Sequence, residues 1–73
     1  MDLERARELA MGALTERAMS QAREFVLLDE HTLELPRAWV FAYDAALFVA
    51  TGRREHRLVG NGPIYVQKET GAV

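Results

Sequence analysis

The stretch Ala38-Trp39-Val40-Phe41-Ala42-Tyr43 decides the fold. Its alternation places Trp39, Phe41 and Tyr43 on one face of a strand and Ala38, Val40 and Ala42 on the other. Upstream, Leu3, Ala6, Ala10, Ala13 and Leu14 recur at helical spacing, with Glu4, Glu8 and Thr15 on the opposite side, so residues 2–19 read as a helix. Asp2 is its expected N-cap, without a full capping box because Arg5 stands three positions on. Gly12 weakens the helix middle by about 1 kcal/mol relative to Ala. An alanine-rich stripe lies close against what it packs on. The small face of the strand suits that stripe, and the ring-bearing face then needs another cover.

Between helix and strand, Phe25-Val26-Leu27-Leu28 breaks the helical period and reads as a short strand buried at its centre. Pro36 punctuates the chain and biases Leu35 away from helix. Ala45-Ala46-Leu47-Phe48-Val49-Ala50 lacks alternation and reads as strand or helical turn, ended by Thr51-Gly52. Gly60-Asn61-Gly62-Pro63 predicts a tight connection. Ile64-Tyr65-Val66-Gln67 alternates as a strand, and Lys68-Glu69-Thr70-Gly71 reads as a hairpin turn into Ala72-Val73, where a further strand should begin. The expected fold is therefore α+β, with an N-terminal helix on one face of a small antiparallel sheet of three to four strands.

With 73 residues the chain is expected to form one domain over 1–73, burying only about 60% of the surface its unfolded chain exposes. Such scaffolds usually lean on a disulfide, a metal or a partner subunit. There is no Cys, which excludes disulfides, thiolate zinc sites and cysteine nucleophiles. Nine Lys and Arg against 11 Asp and Glu leave a net charge of −2, against nucleic-acid binding through bulk positive charge. Met1-Asp2-Leu3-Glu4-Arg5 shows no basic segment leading into an apolar run, and no stretch nears the ~20 apolar residues of a membrane span. A cytoplasmic chain with no membrane partner is expected.

The second half resembles a family of small bacterial proteins, the YrhB-like family, also known as immunity protein 35 of polymorphic toxin systems. Three pieces carry the resemblance: Trp39-Val40-Phe41-Ala42-Tyr43, then Phe48-Val49-Ala50-Thr51-Gly52, then Leu58-Val59-Gly60-Asn61-Gly62-Pro63-Ile64-Tyr65-Val66 with Lys68-Glu69-Thr70-Gly71. The helix and first strand agree with the family in element order. Relatives continue with another strand, so an end at Val73 marks a short member or a C-terminal truncation. The resemblance implies a non-enzymatic protein that binds the cognate toxin domain encoded beside it and blocks it. Chaperone-like shielding of unfolded clients is the alternative it carries.

Three groups are candidate partner-binding residues. Trp39, Phe41 and Tyr43 either pack in the core or stay partly exposed as a platform, since Trp and Tyr are common interface anchors. Arg53, Arg54 and Arg57 form a basic loop with Glu55 and His56, either simply solvated or steering an acidic toxin surface. Asp29 and Glu30 offer an acidic rim; in a strand Asp29 and His31 would share a face that Glu30 could not join. Two such ligands make no more than a weak metal site, so neither metal nor cofactor is expected. Ser20 is the lone serine, with no His near it in sequence, and an enzyme is not expected. A homodimer through an open sheet edge or the ring face is a further expected partner.

Overall fold

Helix α1 spans Leu3–Gln21 and runs unbroken through Gly12. Asp2 caps it, its Oδ1 accepting the Arg5 N–H at 2.9 Å. At the other end Ala22 takes a left-handed conformation, φ 52°, and the Arg23 N–H reaches back to the Ala18 carbonyl at 3.0 Å. The computed structural model describes residues 1–58 and 62–73. The predicted turn at Gly60-Asn61 lies outside the described residues.

After α1 come strand β1 (Phe25–Leu27), a 3₁₀ turn at Asp29–His31, and strand β2 (Leu33–Glu34). Strands β3 (Ala38–Phe41) and β4 (Tyr43–Ala45) follow, then helix α2 (Ala46–Thr51), a second 3₁₀ turn at Arg54–His56, and strand β5 (Ile64–Gln67). The segment 45–50 thus resolves as helix beyond Ala45. All pairings are antiparallel: β1 with β4 in one sheet, and β2–β3–β5 in the other. The turn after β5 is as expected, with Gly71 at φ 73° and the Gln67 N–H donating to the Ala72 carbonyl at 2.8 Å.

β3 and β4 form one nearly continuous strand that changes partners at Ala42. Leu28 donates to the Ala42 carbonyl and Leu35 to that of Ala38, so β1 and β2 line the same edge of it. From Leu27 to Leu33 the chain advances six residues while its partners step only three, from Tyr43 to Val40. The surplus, Asp29-Glu30-His31, is extruded as the 3₁₀ turn. β5 lines the opposite edge and reaches only as far as Phe41.

The expected pairing of faces is reversed. α1 sets Ala6, Ala10 and Leu14 against Phe41, Tyr43, Ile64 and Val66, with Phe25, Leu27 and Trp39 packed around them. The physical reason is volume. An alanine stripe leaves a wide gap below the helix, and large side chains fill it; small on small would leave the core without apolar volume.

Candidate partner-binding surface

The reversal decides the fate of the ring face. Phe41 is 1% exposed and Tyr43 7%, so both belong to the core and neither offers a docking surface, contrary to the platform reading. The Tyr43 ring meets Phe25 edge-on at 5.4 Å, and its hydroxyl accepts from Arg17 Nη1 at 2.9 Å. Trp39 lies at the margin of the same face, half-buried. Its Nε1–H donates to the Met1 carbonyl at 3.2 Å, and Lys68 Nζ sits 5.1 Å from the ring centre. Glu34, opposite Trp39 in register, holds that ammonium at 2.6 Å, so an ion pair lids the indole.

The acidic pair separates. Asp29 accepts a two-pronged bond from Arg7, Nε at 2.9 Å and Nη2 at 3.0 Å, which ties the extruded turn to α1. The direct hydrogen bond from Arg7 holds the Asp29 carboxyl below its ordinary value, against a smaller opposing effect of burial. Glu30 points to solvent, its carboxylate 4.0 Å from His31 Nε2. Strand alternation does not apply here, because the residues form a 3₁₀ turn; Glu30 rather than Asp29 approaches His31.

Arg53, Arg54 and Arg57 are all exposed around the second 3₁₀ turn. Arg53 pairs with Glu55 at 3.4 Å, and the Arg57 guanidinium lies 5.9 Å from the Phe48 ring centre. The three candidate groups therefore stand on three separate parts of the fold: the β3–β4 strand, the turn beside α1, and the segment after α2. Among the described residues no cluster of three or more His, Asp or Glu could hold a metal ion.

Sequence reasoning missed the face that stays open. On the side of the β2–β3–β5 sheet away from α1, Leu33, Val40 and Tyr65 stand in one cross-strand row. Val40 is buried between its neighbours, whereas Leu33 is 59% and Tyr65 49% exposed, with Leu35 beside them also exposed. The i, i+2 spacing of Leu33 and Leu35 was the signal; a strand before Pro36 would have revealed it.

The fold is a small α+β layer with an open apolar sheet face and charged turns at its margins. The family model for immunity protein 35 matches residues 4–73, nearly the whole chain, and the chain belongs to that family. No curated protein and no solved structure matches it. No helix among the described residues is long and apolar enough to cross a membrane.

Proposed function

We propose that this chain is a non-enzymatic cytoplasmic immunity protein of a bacterial polymorphic toxin system, which binds a cognate toxin domain and occludes its active site or substrate channel. Family membership across residues 4–73 carries the reading. The open sheet face carrying Leu33 and Tyr65, with Leu35 beside them, is the docking centre, because exposed apolar groups on a sheet are the surface a partner gains most by covering. Glu30, three residues ahead of Leu33, supplies an acidic rim, and Arg53, Arg54 and Arg57 steer an acidic region of the toxin. Trp39 contributes by holding Met1 and the Glu34–Lys68 pair in place around β3.

The test is co-expression with the toxin encoded beside this chain. Growth is restored, and the two proteins copurify as a stoichiometric complex. Leu33→Glu and Tyr65→Glu, both on exposed side chains, abolish protection while leaving thermal melting unchanged. Failure to restore growth together with the lack of a copurifying complex overturns the proposal. Suppression of heat aggregation across unrelated client proteins, with no preference for the toxin, would point to chaperone-like shielding instead.

A further inference from the structure

The second open feature of the fold is the outer edge of β1. Glu24 accepts from Ala46, and Leu28 donates to Ala42, so residues 24, 26 and 28 turn their backbone groups toward β4. Phe25 and Leu27 consequently point their N–H and C=O groups away from the sheet, where no strand among the described residues pairs with them. Beside this edge runs an open, largely apolar groove of about 470 Å³, lined by Met11, Thr15, Ala18 and Met19 of α1 and by Phe25 and Val26. Met19 is 78% exposed.

We propose that a second copy of this chain docks on this edge, the two β1 strands pairing antiparallel about a two-fold axis at Val26. The hydrogen-bonding pattern is self-complementary under that operation. Phe25 of one copy faces Leu27 of the other, and the outward N–H and C=O groups of both copies satisfy one another.

Charge selects the same arrangement. Arg23, exposed and without an ion pair among the described residues, precedes β1, and Asp29 follows it. Antiparallel pairing sets the end of β1 that Arg23 precedes beside the end from which the other copy's Asp29 turn leaves, at both ends of the pair, whereas a parallel alignment sets like charges together. Arg7 leaves lone pairs on the Asp29 carboxylate for a second guanidinium. Strand pairing alone is too short for the ~800 Å² per partner of a stable interface, so the α1 flanks carrying Met11 and Met19 must close on one another across the groove.

Sedimentation equilibrium of the purified chain, from micromolar to millimolar concentration, together with amide hydrogen exchange, tests this. The expected result is a concentration-dependent dimer in which the Phe25 and Leu27 amides exchange more slowly as it forms. Arg23→Glu and Met19→Glu, both at exposed positions, each weaken dimerisation about tenfold or more with unchanged circular dichroism. A monomer throughout overturns the proposal, including a chain that engages only the toxin. So does a dimer that leaves those two amides unprotected, or one that neither variant weakens. Toxin protection is read separately, so loss of either proposal leaves the other standing.

Discussion

Asp44 holds Leu58 in place: Oδ1 of the buried carboxylate accepts the Leu58 N–H at 3.0 Å and the neighbouring Ala45 N–H at 2.7 Å. Ala45 turns its N–H toward the edge of β4 that β5 does not reach, where no strand among the described residues pairs with it and the Asp44 side chain takes the N–H instead. It also anchors the segment that carries Arg53, Arg54 and Arg57. Asp44→Ala strands two amide donors, and should lower stability by about 1–3 kcal/mol. Urea unfolding measures the loss; Asp44→Asn, which keeps an acceptor oxygen, should lose less. Equal losses in the two variants would show that the hydrogen bonds are not what Asp44 contributes.

The fit of small helix residues on large sheet residues makes a paired prediction. Phe41→Ala opens a cavity under Ala6 and Ala10 and should cost about 3–5 kcal/mol, much of the total for a chain of this size. Ala10→Leu should cost about 1–3 kcal/mol by overpacking, since Ala10 is wholly buried. Chemical denaturation of both variants checks this. Tolerance of Ala10→Leu would mean that the helix is free to lift off the sheet.

Acid should release the extruded turn. Arg7 lowers the Asp29 pKa from 3.8 in the folded chain, so the pair stabilises fully above that value and is lost as pH falls through the lower, folded one. The Arg7 guanidinium, shifted up by the same bond, stays charged throughout. Melting temperature followed through the acid range should therefore fall less steeply for Asp29→Asn than for the parent chain. Parallel acid limbs for the two proteins would contradict the assignment.

Trp39 is the single tryptophan and reports on its own lid. Its emission should be blue-shifted relative to a free indole and move red on unfolding, because the ring is half-buried under Lys68. Lys68→Ala removes both the ring contact and the Glu34 pair, and should shift the folded emission red with a loss of roughly 1 kcal/mol. An unchanged spectrum would mean that the ammonium does not cover the ring in solution.

Local chemistry made much of the fold legible. Asp2 and the spacing of Ala6, Ala10 and Leu14 specify α1, the alternation through Trp39 and Phe41 specifies β3, and Gly71 specifies the last turn, because caps, periods and positive φ depend on near neighbours. The candidate site was legible only in part. Arg53, Arg54 and Arg57 are exposed as charge demands, but β2 has just two residues, and its one sign in the sequence is the i, i+2 spacing of Leu33 and Leu35. Its offset from β1 turned Asp29-Glu30-His31 out of the strand.

Alternation by itself determined that the central strand has two unlike faces. Only tertiary structure decided which of them α1 covers, because that choice depends on the volume left between elements distant in sequence. The alanines left room for Phe41 and Tyr43, and so the open face passed to Leu33 and Tyr65.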